Sequence, residues 1–303
     1  MNYPAGQSNR KILNVTKRNE ALSANAQRLS KHRNLSVKQI SSFRSTVYQY
    51  YENYRRDLPW RNTDDPYRIL VSEIMLQQTR VERVIDKYDL FVSKFPDFPS
   101  LAKAPLKEVL NIWQGLGYNR RVLWLVKLAQ IVVSQYHGRL PVNIEALTGL
   151  PGIGRATAGC MLAFAFHEPS VFIETNIRRV FIHHFFQDRE DVHDREIMPL
   201  VETTLDRSNP REWYYSLMDY GSMLKKEIEN PNKKSAHYTR QSPFKDSDRK
   251  IRGIILKTLL QRGPLSERDI AVAIHNDRKR AKKILSALVK EGFIELSSNL
   301  YIP

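Results

Sequence analysis

Cysteine is almost absent from this 303-residue chain, which contains only Cys160. One cysteine cannot form a disulfide within the chain, and it cannot assemble a cysteine-ligated zinc site or an iron–sulfur cluster. Long apolar runs are missing too, since no segment approaches the roughly 18 residues of a membrane span. The first ten residues also lack the apolar core of a signal peptide. We therefore expect no metal, no cofactor and no membrane association, and a cytoplasmic or nucleoid-associated location.

Acidic residues are scarce relative to basic ones, with 32 Asp and Glu against 48 Lys and Arg. The net charge of +16 and the sequence pI of about 9.8 favour a polyanionic partner such as nucleic acid. Hydrophobic residues make up 42% of the chain, which is enough to bury a core. The length allows two or three domains.

Strand-like alternation is missing before the last ten residues, so the spacing of apolar residues predicts an all-α body. Helices are predicted over 36–55, 67–91, 106–110 and 120–136, separated by prolines. We predict four segments: a basic, disordered tail (1–35), the helical body (36–229), a basic linker or loop (230–247) and a small second domain (248–303). The tail has two interpretations, a loose tether to DNA or a solubilising arm.

The last segment has its own pattern of three short helices, over 248–261, 266–274 and 277–290, followed by a hairpin over 293–302. This order is typical of a winged helix. Its third helix carries Arg278, Arg280 and Lys283, which could contact DNA phosphates. A protein-interaction module with a solvated basic helix remains the alternative.

A glycine pair at the start of a helix, Gly152 and Gly154 followed by Arg155, predicts a phosphate-binding site. Glycine permits close approach, and the first N–H groups of a helix carry the positive end of its dipole. The preceding Leu-Pro step argues against a dinucleotide fold, which requires an apolar strand at that place. An ordinary helix start remains the alternative.

The segment around Glu73 contains the chemistry that an enzyme acting on nucleic acid would need. Glu73 lies among Ile74, Met75 and other apolar residues, and burial there would make it a general acid. Gln77 and Gln78 can donate and accept hydrogen bonds, which suits contacts with base edges or a gap in a base stack. Taken alone, each could equally be a surface residue.

Five segments, 58–61, 66–67, 72–79, 115–118 and 150–155, together resemble the MutY-type adenine DNA glycosylases. These enzymes belong to the helix-hairpin-helix superfamily, related to endonuclease III, and the resemblance covers roughly residues 58–221. It implies a two-lobed helical body with the active site in the cleft between the lobes. A target adenine, usually opposite oxidised guanine, would be flipped out of the duplex.

The resemblance also assigns roles to individual residues. Glu73 matches the glutamate that protonates the leaving purine, and Arg61 and Leu76 match residues that line the base pocket. Gln78 and Tyr118 match groups inserted into the duplex, with Gln77 beside them. The second carboxylate of the family is an aspartate, and Glu174 stands at its position, two residues before Asn176 of the same motif.

Three further departures from the family change what the resemblance implies about strand cleavage, the metal cluster and the C-terminal domain. Ala156 occupies the position where bifunctional members carry a lysine nucleophile, so the enzyme is expected to be monofunctional. Lys225, Asn232, Ser235 and Gln241 appear where the family has its four cluster-binding cysteines, so no iron–sulfur cluster is expected. The family's C-terminal domain for oxidised guanine is replaced by the predicted winged helix.

The sequence therefore predicts a monomeric, monofunctional glycosylase of base excision repair. It would hydrolyse the N-glycosidic bond of adenine mispaired with guanine or oxidised guanine in double-stranded DNA. Three alternatives remain open: a glycosylase with another target base, a lesion-binding protein without catalysis, and a winged-helix regulator.

Overall fold

A computed structural model describes residues 35–239 and 247–303. In chain order the helices are α1 (Val37–Tyr54), α2 (Pro66–Leu76), α3 (Val81–Lys94), α4 (Phe98–Lys103), α5 (Leu106–Trp113), α6 (Arg120–Gln135), α7 (Ile144–Thr148), α8 (Arg155–Ala165), α9 (Thr175–Phe185), α10 (Asp194–Thr204), α11 (Pro210–Glu227), α12 (Asp248–Arg262), α13 (Glu267–Ala273) and α14 (Arg278–Glu291). Short 3-10 helices cover Pro59–Arg61 and Pro231–Lys234, and the strands are β1 (Leu265–Ser266), β2 (Glu295–Ser297) and β3 (Leu300–Ile302).

These residues form two compact units. The first unit contains residues 35–57 and 167–239, and the second contains 58–166 and 247–303. The predicted tail lies almost wholly outside the described residues, as does most of the second half of the predicted linker.

The first unit is built on α11, which packs against α1 and α9. Helix α1 begins at a capping box between Ser36 and Gln39, in which each side chain bonds the backbone N–H of the other residue. Its apolar face buries Phe43, whose ring lies 5.4 Å from that of Phe181 and 5.8 Å from that of Trp213. This aromatic core packs against α9, whose first residues belong to the candidate site.

The body of the second unit surrounds α2, which packs against α3, α6 and α8. Helix α2 starts at Asp65, whose side chain accepts from Tyr67 N at 2.9 Å, and Pro66 at the first helical position suits that start. Residues 69–72, 74 and 75 are all buried. Helix α2 is therefore the central helix of this unit.

The C-terminal segment of the second unit contains the three predicted helices and the closing hairpin. Strand β3 lies between β1 and β2, and all pairs are antiparallel, with Tyr301 opposite Leu265 and Leu296. The two-residue strand β1 is a correction, because no alternation marked it in the sequence. The winged-helix assignment itself stays a prediction.

The helix predicted over 67–91 is also corrected, since it is two helices separated at 77–80. Gln78 has a φ of +56°, which is incompatible with continuing an α-helix. No glycine or proline marks the break. No helix among the described residues is both long and apolar enough to cross a membrane.

Candidate active site

Glu73 is the single half-buried position in the otherwise buried run 69–75 of α2. Its neighbours Ser72 and Ile74 are 0% and 3% exposed. Arg61, predicted to line the base pocket, is half-buried and follows Trp60, which packs edge-on against Tyr88 with ring centres 5.4 Å apart. Buried neighbours therefore flank the candidate acid on both sides along α2.

Leu76, predicted to line the base pocket, and Gln77 and Gln78, predicted to contact the duplex, have different environments. Leu76 and Gln77 are half-buried, whereas Gln78 is exposed. The Gln77 amide nitrogen makes long contacts with Gly152 O at 3.5 Å and Thr157 Oγ1 at 3.4 Å. Gln77 thus adjoins the glycine hairpin, while Gln78 projects from the turn after α2.

Arg121, which the sequence analysis did not single out, links this turn to the 115–118 loop. Its side chain is 4% exposed and donates to the carbonyl oxygens of Ile74, Met75 and Gln77 at 2.6–2.8 Å. It also contacts Thr79 Oγ1 at 3.0 Å, Gly117 O at 3.1 Å, and Leu116 O and Tyr118 O at 3.4 Å. Burial lowers its pKa to about 10, so the guanidinium stays charged at neutral pH.

Tyr118 lies in this loop with a φ of +46°, a strained value for a residue with a side chain. The adjacent Gly117 has a φ of +72°, a conformation that glycine adopts without strain. The Tyr118 ring lies 5.5 Å from the Arg121 guanidinium carbon and 5.6 Å from that of Arg249. Two cations therefore support the predicted insertion residue.

The glycine hairpin connects α7 to α8. Gly152 has a φ of +79°, and a Cβ there would lie 3.1 Å from the Cβ of Trp124. Gly154 is the N-cap of α8 and offers no side-chain cap, and both Gly154 and Arg155 are exposed. The first turn of α8 thus presents backbone N–H groups at the surface, an arrangement that favours anions. Ala156 follows in that turn.

Glu174 and Asn176 lie in the first unit, at the start of α9. Glu174 is the N-cap, and its Oε1 accepts from the backbone N–H of Asn176 at 2.6 Å and of Ile177 at 2.7 Å. Its Oε2 accepts from the Asn176 amide at 3.2 Å. Glu174 retains some exposed surface, yet the surrounding protein raises the pKa of its carboxyl above the usual range, against the opposing effect of these hydrogen bonds.

Arg179 holds the side chain of Asn176 in place. Its Nη1 donates to Asn176 Oδ1 and to Gly221 O, both at 2.7 Å, while its Nε donates to Asn230 Oδ1 at 3.0 Å. Arg178 instead forms a two-pronged ion pair with Asp194 at 2.6 and 2.7 Å. The Glu174 carboxylate is therefore fixed by the helix start and by Asn176.

Replacement of Glu174 by Gln is expected to stabilise the protein at neutral pH. The raised pKa means that ionisation of Glu174 is less favourable in the folded state than in the unfolded chain. The parent therefore loses stability as pH rises through the ordinary carboxyl range, and the variant does not. Denaturant unfolding at neutral and acidic pH measures this, because the gain should vanish where both states are protonated. An E174Q protein less stable than the parent at neutral pH would contradict it.

Replacement of Gly221 by Ala is expected to disturb Asn176 directly. A Cβ at Gly221 would lie 2.5 Å from Asn176 O and 2.8 Å from Asn176 Cβ, so the start of α9 must shift. Overpacking of this kind costs about 1–3 kcal/mol of unfolding free energy. Gly253→Ala is the matched control, because a Cβ there meets nothing within 4 Å and alanine favours its helix. Equal stabilities of the two variants would refute the expected clash.

The predicted phosphate-binding residues of α14 divide into two kinds. Arg278 is exposed, whereas Arg280 pairs with Asp248 at 2.8 Å, and Lys283 lies 3.7 Å from the same carboxylate. These pairs lower the pKa of Asp248. Asp248 therefore offsets part of the positive charge on this helix.

Comparisons with known proteins identify the family. A model of the HhH-GPD superfamily of base excision DNA repair proteins matches residues 71–205. A thymine/uracil-DNA glycosylase from Methanothermobacter thermautotrophicus is 32% identical over 185 residues, which cover 60% of this chain and 84% of that protein. The chain belongs to the HhH-GPD superfamily. Membership confirms the predicted helical helix-hairpin-helix fold and the resemblance to DNA glycosylases.

Other HhH-GPD relatives include an adenine DNA glycosylase from Buchnera aphidicola subsp. Baizongia pistaciae (strain Bp), 34% identical over 187 residues. That match covers 60% of this chain and 52% of the relative, so the chain spans about half the length of the adenine DNA glycosylase it matches. A solved structure of a thermostable thymine-DNA glycosylase aligns with a TM-score of 0.58 and 30% identity, covering 65% of this chain and 92% of that one.

The HhH-GPD segment where the family resemblance implies a metal cluster has no thiolate in this chain. Lys225 is exposed on α11, and Asn232 is buried, with its amide donating to Thr175 O at 2.9 Å. Ser235 forms a parallel bridge with Val192, whose N–H donates to Lys234 O at 2.8 Å. Gln241 lies outside the described residues. The side chains present do not fit an iron–sulfur cluster, which needs four thiolates.

Proposed function

We propose that the chain is a monofunctional DNA glycosylase of base excision repair, with adenine in a mispair as its target. The observation that supports this best is the placement of Glu73, half-buried on a helix whose other residues in that run are buried. Its helix leads directly into the Gln77–Gln78 turn. The match of residues 71–205 to the HhH-GPD superfamily of base excision DNA repair proteins supports the same proposal.

Glu73 acts in this proposal as the general acid. Hydrolysis breaks the bond between the base nitrogen and the anomeric carbon, and the bonding electron pair leaves with the base. A proton from Glu73 to a ring nitrogen of the purine neutralises the charge that develops there. Water then adds to the anomeric carbon, and the proton that the water loses restores the Glu73 carboxyl group. Arg61 and Leu76 would line the base pocket.

Glu174 supplies the second carboxylate, which stabilises the electron-poor sugar. Its two backbone hydrogen bonds fix one oxygen, so the carboxylate is oriented before substrate arrives. Glutamate is one methylene longer than the aspartate of the family, and a displacement of about 1 Å can cost on the order of a hundredfold in rate. Reduced activity relative to aspartate-containing relatives is part of the proposal.

Duplex binding would involve two surfaces of the second unit. Gly152, Gly154 and Arg155 would hold a phosphate at the start of α8, and Tyr118 with Gln78 would fill the gap left by the flipped base. Ala156 has no amine, so a Schiff base from that position cannot form and strand cleavage is not expected. The protein would act as a monomer near the nucleoid.

A different target base is the second candidate, and the relatives give a specific reason for it. The thymine/uracil-DNA glycosylase is 32% identical and the adenine DNA glycosylase 34% identical, over nearly equal lengths. The departures at Glu174 and Ala156 point the same way. The Glu73–Leu76–Gln77–Gln78 segment, typical of the adenine branch, favours adenine.

A panel of duplexes with defined mispairs tests the proposal. Each duplex carries adenine, thymine or uracil opposite guanine, oxidised guanine or cytosine, and alkali after incubation cuts at any abasic site. We expect cleavage of the adenine-containing strand only after alkali. Release of thymine or uracil alone would support the second candidate, and no release from any duplex, with tight binding to one of them, would indicate a lesion-binding protein.

We also propose that the segment after α11 folds without an iron–sulfur cluster. Asn232 and the Val192–Ser235 bridge connect it to α9 and to the chain before α10 by hydrogen bonds. Iron analysis of the purified protein tests this, and a stoichiometric iron content would overturn it.

A further inference from the structure

A groove of about 910 Å³ lies in the second unit, beside the predicted insertion residues. Its walls are the turn after α2, the 115–119 loop and helix α12 of the C-terminal segment. Gln78 and Tyr118 both line it, and both have left-handed backbone angles. The C-terminal segment therefore contributes a wall next to the side chains expected to enter the duplex.

The groove is strongly basic. Among the lining residues, all within the described part of the chain, none carries a carboxylate. The cations come from the 80–83 segment and from α12, and they are Arg80, Arg83, Arg249, Lys250, Arg252 and Lys257. Cations spaced along a groove of this kind attract a phosphodiester backbone. The ligand that this surface suits is a DNA strand.

Arg249 links the C-terminal segment to Tyr118. Its Nη1 donates to the Tyr118 hydroxyl at 2.6 Å, and its guanidinium carbon lies 5.6 Å from the ring centre. A hydrogen bond and a cation–π contact together restrict the orientation of the ring. Arg249 is thus placed to fix the ring of a residue whose backbone is already strained.

Glu291 stabilises this arrangement by forming ion pairs with two arginines. It receives two-pronged contacts from Arg120 at 2.8 and 2.9 Å and from Arg252 at 2.7 and 3.1 Å. These bonds lower the pKa of Glu291 and connect α14 and α12 to the start of α6. Arg252 is thereby partly neutralised, so Arg249, Lys250 and Lys257 are the groove cations of α12 that would meet phosphates.

We propose that this groove binds a strand of the DNA duplex beside the insertion residues, and that Arg249 is a positioning residue that holds Tyr118 for insertion. The proposal deepens the glycosylase function and rests on it for the identity of the target. Within the C-terminal segment, it extends duplex binding from α14, where Arg278, Arg280 and Lys283 were predicted to contact phosphates, to α12.

Salt-dependent binding tests the groove without requiring base release. The probe is a fluorescent duplex with a tetrahydrofuran abasic analogue opposite guanine, and affinity is measured by anisotropy at several salt concentrations. The triple substitution of Arg249, Lys250 and Lys257 by Ala should reduce the slope of log affinity against log salt by about 2–3. The control triple at Arg262, Arg268 and Lys290, exposed residues outside the groove, should leave the slope near that of the parent.

An unchanged slope in the groove variant would overturn the proposal, all the more if Ala at Arg278, Lys279 and Lys282 of α14 reduced it instead. Should the triple variant not fold, the pair Lys250→Ala and Lys257→Ala keeps the test, with an expected reduction of about 1–2. If the parent protein released no base while the groove variant still lowered the slope, the glycosylase function would fail and the groove proposal would stand.

A double-mutant cycle tests the role of Arg249. Tyr118→Phe and Arg249→Met should each weaken binding to the abasic duplex by about threefold to tenfold, the range for one hydrogen bond. The double variant should be no weaker than Arg249→Met alone. Each should also lower the preference for the abasic over the unmodified duplex, which a purely structural role would not change. Additive losses, or an unchanged preference, would overturn the positioning role.

Discussion

Glu73→Gln is expected to eliminate base release while leaving duplex binding intact. Glutamine is nearly the same size as glutamic acid, so the buried surroundings at Ser72 and Ile74 should not change. It has no acidic proton to give to the leaving base, and the loss of a general acid lowers rates by roughly 10²- to 10⁴-fold. Single-turnover assays on the duplex that the parent cleaves best measure the rate, and anisotropy measures the affinity.

Glu82→Gln is the matched control for this substitution. Glu82 is an exposed residue in the first turn of α3, a few residues beyond the Gln77–Gln78 turn, and has the same side chain as Glu73. The Glu82→Gln variant should release base at the parental rate. If E73Q were as fast as the parent, another group would be the acid. If E73Q lost both release and binding, Glu73 would be needed for the structure of the site.

The helical body was predictable because most of its signals are local. Helix α1, predicted over 36–55, extends over Val37–Tyr54, and the C-terminal helices end within one or two residues of the predicted ends. Apolar spacing, capping residues and prolines are all readable within a few residues. The break at 77–80 carries no such signal. It is stabilised by Arg121, more than 40 residues later, whose guanidinium donates hydrogen bonds to the carbonyl oxygens at the end of α2.

The resemblance predicted candidate site residues, but it did not predict the contacts that hold them in place. The spacing of Glu73 and Glu174 in the sequence does not predict the backbone N–H groups that bind the Glu174 carboxylate. It also does not predict the hydrogen bond from Arg179 to the Asn176 side chain. The sequence does contain one signal for the Arg121 network. Arg121 shares the apolar face of α6 with Leu125, Leu128 and Val132, and a charged residue on such a face needs a buried network of partners.

That network is why Arg121→Ala is expected to have a large effect on both stability and activity. The change would remove the donor that Arg121 provides to several buried carbonyl oxygens at the end of α2, and each buried acceptor left unsatisfied costs about 1–3 kcal/mol. Arg121→Lys keeps the charge but loses the planar set of donors, so it should fold and still bind these carbonyls incompletely. Denaturant unfolding measures the loss of stability in both variants.

The rate measurement on Arg121→Lys separates positioning from folding. Arg121 binds the carbonyl oxygens of Ile74, directly after Glu73, and of Gln77, three residues further on. It also binds the carbonyl oxygen of Gly117, which precedes Tyr118. A shift of about 1 Å in these groups would slow base release on the order of a hundredfold in a protein that is still folded. Lys127→Ala, an exposed cation on the same helix, should change neither quantity. A folded R121K protein with the parental rate would show that the turn after α2 keeps its geometry without the guanidinium, and Arg121 would then contribute to stability alone.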